Sequence, residues 1–266
     1  MELHVAFLPQ ESGDVRRRVA IVVDVLRATT SILTLFERGC AEVLVAPTVD
    51  AARRYAEVAR GPAPAAGPSA SPVSTERRER GAAGGVRTAG EQGGLAPEGF
   101  DFGNSPAAFA RADVAGSRIV MATTNGTRAF HAVREAPVVL TGCLRNRRAA
   151  ARAAVEAAIQ GGLDVAVVCA GREGRFSLDD AYTAGGISNA VVDYLTDRVP
   201  CRTTDAVLAA ETLYRSWPDA AKLFRLTAAG RNVLAIGLAE DLGYCAVPDC
   251  SELVPRVGAG VTLLDA

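Results

Sequence analysis

Asp24 closes the apolar run "VAIVVD" and is followed at once by Arg27, Thr29 and Thr30. A carboxylate at such a strand end can hold Mg²⁺ or act as a nucleophile, and the two hydroxyls can cap the next helix or touch an anion. An aspartate ending a buried run is costly to leave poorly solvated, so its position asks for a chemical reason. A second stretch, "TTNGTR" from Thr123 to Arg128, is a compact anion cradle. Asn125 and Gly126 permit the turn, the backbone N–H groups that follow, from Thr127 on, point outward, and Arg128 adds a fork of donors. It lacks the glycine spacing and terminal Gly-Lys-Ser/Thr of a nucleotide loop.

The third stretch, "CAGREGRFSLDD", follows the apolar run "LDVAVV". Arg172 and Arg175 offer bidentate partners for phosphate, while Glu173, Asp179 and Asp180 can balance them or coordinate a metal. Asp179 and Asp180 are adjacent in a helix that Ser177 can cap, so at least one of them should face away from a site. Cys169 and Arg175 also have the spacing by which a thiolate attacks phosphorus. Against that reading, Phe176 stands where a hydroxyl is usual, and three nearby carboxylates would raise a thiol pKa.

The elements that position these residues follow from periodicity. Val5–Leu8 and Val19–Val23 have strand length, Thr29–Arg38 has helical spacing ended by Gly39, and Glu42–Ala46 returns as a strand. From 61 to about 94 the apolar period fails, which predicts a flexible insertion over 61–83. Strand, polar turn and helix then recur over 117–133, 136–162 and 163–195. In an open parallel sheet such turns gather at the carboxyl edge, where sites form. Residues 201–238 read as mostly helical, and 238–257 as a final strand flanked by Asp241 and Asp249. The expectation is one α/β domain over 1–266, with a mixed, largely parallel sheet and helices on both faces.

Charge narrows the partners. Lys and Arg total 29 against 30 Asp and Glu, a net charge of -1, which gives no reason for a nucleic-acid partner. No apolar run approaches the roughly 20 residues of a membrane helix, and no opening segment resembles a signal peptide, so the expected compartment is cytoplasmic. The six cysteines lack paired metal spacing and are expected reduced. His4 and His131 lie in no ligand pattern. Apolar helices after Arg147 could cover the sheet or build a homodimer.

Together, "DVLRATT", Gly90-Glu91, "GFDFGNSP" from Gly99 to Pro106, "TTNGTR", "CAGREGRFSLDDAYTAG" and "DLGYCAVPD" resemble the 2-phosphosulfolactate phosphatase family. The resemblance covers nearly the whole chain outside 61–83. It implies an α/β fold that is not haloacid-dehalogenase-like; consistently, Leu26 stands where that fold would place a second aspartate. It further implies a Mg²⁺-dependent hydrolase that removes phosphate from 2-phospho-3-sulfolactate in a route toward coenzyme M. On that basis Asp24, Glu91 and one of Asp179 or Asp180, with Glu173 nearby, would face Mg²⁺. Arg128 and Arg175 would hold the phosphoryl oxygens, and Arg27 and Arg172 the carboxylate or sulfonate. Phe102 and Arg172 depart from the family's usual residues, and Arg172 adds a charge that could tune substrate choice. Phosphatase action on a related hydroxy acid and a non-catalytic anion-binding module are the alternatives.

Overall fold

Val19, Ile21 and Val23 pack into one apolar cluster and Ala20 and Val22 into another, so β2 (Arg18–Val23) is covered on both faces. A strand buried in this way belongs in the middle of a sheet with helices above and below. The computed structural model describes residues 1–61, 84–196 and 198–265. The insertion expected over 61–83 therefore lies, beyond Gly61, outside the described residues.

Among the described residues nine further strands join β2: β1 (Glu2–Ala6), β3 (Glu42–Val45), β4 (Val86–Gly90), β5 (Arg118–Ala122), β6 (Val138–Gly142), β7 (Asp164–Cys169), β8 (Arg202–Thr203), β9 (Arg256–Val257) and β10 (Gly260–Leu263). Their order is β4-β5-β3-β10-β9-β6-β2-β7-β1-β8. All recorded pairings are parallel except β6 with β9, which meet at Leu140 and Arg256. The sheet is thus mixed and largely parallel, and nothing in it indicates a haloacid-dehalogenase fold.

The helices are α1 (Ala28–Glu37), α2 (Val49–Arg60), α3 (Pro106–Phe109), α4 (Gly126–Ala132), α5 (Arg147–Gly161), α6 (Leu178–Leu195), α7 (Asp205–Ser216), α8 (Ala220–Leu226), α9 (Ala228–Ala235) and α10 (Ala239–Cys245). On one face, α5 and α6 bring Ala151, Val155, Ile187 and Val191 against Ile21 and Val167. On the other, Phe109, Ala129 and Phe130 pack against Val22 and Val168. A third cluster forms where Ala52 and Ala56 of α2 cover Leu44 and Val120. No described helix is long and apolar enough to cross a membrane.

Two elements differ from the periodicity reading. The first strand is Glu2–Ala6 rather than Val5–Leu8, because Phe7 and Leu8 turn their N–H groups to the Glu11 carboxylate at the start of a 3₁₀ turn. Residues 238–257 supply α10 and only two strand residues at their end. Glu240 and Asp241 in the first turn favour the helix, since acidic groups suit a helix N-terminus. Asp249 instead pairs with Arg147 at 2.5 Å.

Candidate active site

Parallel pairing puts the carboxyl ends of β2 and β7 together and those of β4 and β5 together, and contacts between the following loops, Glu173 N with Asn125 Oδ1 and Gly126 beside Asp24, join the two pairs at one site. The loops leaving those ends carry Asp24 to Arg27, Glu91 to Leu95, Thr123 to Asn125 and Ala170 to Ser177. Two of them are tight hairpin turns. Gln92 and Leu95 exchange N–H···O bonds of 2.9 and 3.3 Å around Gly93 and Gly94, whose φ values are 63° and 94°. Arg172 and Arg175 do the same at 2.8 and 2.9 Å around Glu173 and Gly174, at 52° and 75°. Positive φ at both central residues is the type I′ pattern, which normally selects Asn-Gly. Glu173 therefore holds a left-handed conformation that costs a non-glycine residue on the order of 1 kcal/mol.

Between the hairpins lies a cavity of about 100 Å³ whose walls include Asp24, Arg27, Glu91, Thr124, Asn125, Arg172 and Glu173. Asp24 is 7% exposed and caps α1, accepting from Ala28 N through Oδ1 at 3.3 Å. Burial pushes its carboxyl up to about 7, with the charges of Glu91 and Asp179 adding to the rise. Gly126 makes the close approach of α4 possible: a Cβ there would sit 2.7 Å from Ala28 Cβ and 2.9 Å from Asp24 Oδ2. Glu91 straps the loops together, its Oε1 accepting from Thr124 N at 2.7 Å and its Oε2 from Gly94 N at 2.9 Å. Asn125 Oδ1 accepts from Glu173 N at 2.9 Å, joining the second and third sequence stretches.

Arg27 is 4% exposed and held at two points, donating to Asp241 Oδ2 at 2.9 Å and to Gly94 O at 2.6 Å. Arg172 is half-buried and more loosely held, 3.6 Å from Glu173 Oε1. These two arginines reach the cavity. Arg128 is exposed and lines a neighbouring cavity of about 500 Å³ with Arg53, beyond a wall shared at Glu91 and Thr124. Arg175 is exposed and lines neither cavity.

The threonines expected to touch an anion bond elsewhere. Thr29 Oγ1 donates to Asp24 O and Thr30 Oγ1 to Val25 O, both at 2.9 Å, while Thr127 and Thr123 each present a hydroxyl to the other's backbone N–H at 3.3 Å. Both aspartates of α6 also lie outside the cavity wall. Asp180 accepts from Val25 N at 2.9 Å and Gly171 N at 3.1 Å, clamping the first loop to the third. Asp179 accepts from Ser177 Oγ at 2.9 Å. Burial raises both carboxyls, and the Asp179 and Asp24 charges raise Asp180 further. Cys169 is fully buried, and burial together with Asp180 and Asp179 lifts its thiol well above the usual range, which removes it as a ready nucleophile.

Sequence reasoning missed Asn104, Asn232 and Asp241. Asn104 is 4% exposed in the cavity wall, and among the described residues its Oδ1 has no hydrogen-bond partner. Its segment is pinned to β4 because Thr88 N and Oγ1 both donate to Asp101 Oδ2. "GFDFGNSP" contained it, yet nothing local separates this asparagine from one in an ordinary turn. Asn232 lies in "RNVLAIG", which reads only as helix.

The oxygen donors suit a hard cation. Of the Asp24 carboxylate, only Oδ1 takes a hydrogen bond among the described residues, and Asn104 Oδ1 is a buried carbonyl oxygen without a donor. No three carboxylates of this edge bring ligand atoms within 4.8 Å of one another among the described residues. Carboxylate and amide oxygens of this kind could hold Mg²⁺, which uses one or two carboxylates and completes its shell with water and substrate oxygens.

A profile of the 2-phosphosulpholactate phosphatase family matches residues 6–260. The chain is 36% identical to "Probable 2-phosphosulfolactate phosphatase" of Deinococcus radiodurans, over 98% of this chain and 95% of that protein. Relatives of the same name in Thermus thermophilus and Gloeobacter violaceus are 37% and 36% identical. They cover 90% and 98% of this chain, and the same shares of their own lengths.

Proposed function

Since this chain belongs to the 2-phosphosulfolactate phosphatase family, we propose that it hydrolyses 2-phospho-3-sulfolactate to 3-sulfolactate and phosphate with Mg²⁺ bound. The observation that carries the reading is one small cavity joining three carboxylates, Asp24, Glu91 and Glu173, to two arginines, Arg27 and Arg172. Phosphate, carboxylate and sulfonate within a few bonds would be repelled by carboxylates alone, so cationic groups must share the wall.

Asp24 and Glu91, with Asn104 Oδ1, are the groups that would hold the metal, directly or through water. Bound there, Mg²⁺ would screen the phosphoryl charge and favour departure of a secondary alkoxide. Arg27 and Arg172 donate to the substrate's anionic groups, the first rigidly and the second from a hairpin tip that can adjust. If Asp24 reaches the metal only through water, its free Oδ2 would take the proton from water attacking phosphorus; the value near 7 is that of the metal-free carboxyl, and a cation bound nearby would lower it. Asn125 and Glu91 fix the loops so that these groups meet the substrate already oriented. All six thiols are free, which supports a reducing, cytoplasmic setting.

The test is phosphate release from 2-phospho-3-sulfolactate, phospholactate and p-nitrophenyl phosphate, each with Mg²⁺ and with chelator. Fast, chelator-sensitive release from the sulfonated ester alone is the expected result. Equal rates on all three would remove the named substrate, and no release from folded protein would remove the hydrolase.

A further inference from the structure

Asp241 does not line the cavity, yet it organises one wall of it. Its Oδ2 accepts from Arg27 Nη1 at 2.9 Å, and its Oδ1 accepts from Ser105 Oγ at 2.7 Å and Ala107 N at 3.1 Å. The carboxylate is 1% exposed and the arginine side chain 3%, so the pair is dry. Ser105 follows Asn104 directly, so one buried carboxylate sets both the Arg27 fork and the backbone that presents the unpartnered Asn104. Arg27 Nη2 is spent on Gly94 O at the tip of the first hairpin, which leaves the plane of the guanidinium little freedom.

We propose that Asp241 of α10 is a positioning residue that aims Arg27 at an anionic group of the ligand. Burying a full ion pair is a poor way to gain stability alone, because desolvation offsets most of the attraction. A guanidinium locked in one plane presents its remaining N–H groups to a carboxylate, sulfonate or phosphoryl oxygen without ordering a side chain on binding. Arg172, which lacks such a lock, serves as the contrast within the same cavity. The inference rests on the proposed function only in taking the ligand to be anionic.

The experiment is a double-mutant cycle read by binding. Calorimetric titration of the full chain with inorganic phosphate, and separately with 3-sulfolactate, is carried out for the wild type, Asp241→Asn, Arg27→Lys and the double variant, with thermal melting of each. Asp241→Asn should weaken at least one probe about tenfold in the wild-type background and no more than about twofold in the Arg27→Lys background, because the larger part of its effect runs through Arg27. A merely structural role would lower the melting temperature without that non-additivity. Unchanged affinity in Asp241→Asn, additive losses, or a wild type that binds neither probe would each overturn the proposal. If Asp241→Asn does not fold, Ser105→Ala removes one of the carboxylate's three donors, and a roughly threefold loss, again smaller with Arg27→Lys, is expected; no loss overturns it. Binding that behaves as expected beside absent phosphate release would defeat the hydrolase reading alone.

Discussion

Replacing Asp24 by asparagine should make the metal-free protein more stable at pH 8 while abolishing turnover. The carboxyl is moved from 3.8 to about 7, chiefly by burial and then by the Glu91 and Asp179 charges. At about 1.4 kcal/mol per unit, ionised Asp24 carries a penalty of about 4 kcal/mol in the folded state. Below pH 4 the group is protonated whether folded or not, and the penalty is absent. Between pH 3.8 and about 7 the unfolded chain has released this proton while the folded chain still holds it, so stability falls across that window and levels off above the folded value. An asparagine retains an oxygen for the Ala28 N–H and never ionises. Urea unfolding of both proteins in chelator at pH 4.5 and pH 8 should therefore show the variant ahead by about 1 kcal/mol at the lower pH and by about 3–4 kcal/mol at the higher. Mg²⁺ added at pH 8 should raise the wild type and not the variant. Equal stabilities at pH 8, or a difference that does not change with pH, would refute the argument that this carboxylate sits uncompensated in a dry site.

Further outcomes follow from the same geometry. Cys169→Ala should keep phosphate release within about twofold of the wild type while costing about 1 kcal/mol for the lost buried sulfur; loss of turnover in a folded variant would restore the thiol as nucleophile. Gly126→Ala drives a methyl against Ala28 and Asp24 and should cost about 1–3 kcal/mol, read from denaturant midpoints, with at least a tenfold fall in turnover. Glu173→Asn converts the second hairpin to the residue pair its turn prefers and should gain about 0.5–1 kcal/mol, read from denaturant midpoints, whereas a loss of stability would show that the turn is not strained.

The strand, turn and helix rhythm was legible in the chain because periodicity is a local property: β2, α1, β3, β5 and β7 stand within a few residues of where apolar spacing puts them. That three reactive stretches would share one edge was also legible, since parallel strands send their following turns the same way. Their partners were not. Arg27 meets Asp241 across 214 positions and Glu173 N meets Asn125 Oδ1 across 48, and only chain packing chooses such pairs. Which arginines enter the cavity was equally hidden. Arg27 and Arg172 do, while Arg128 turns to the neighbouring cavity and Arg175 to solvent, because a side chain's direction depends on how its helix or hairpin sits against the rest of the fold. Composition and spacing determined the kinds of chemical group available and the edge where they collect; the tertiary structure alone decided which of them share one cavity, since burial and orientation arise only once distant segments have packed.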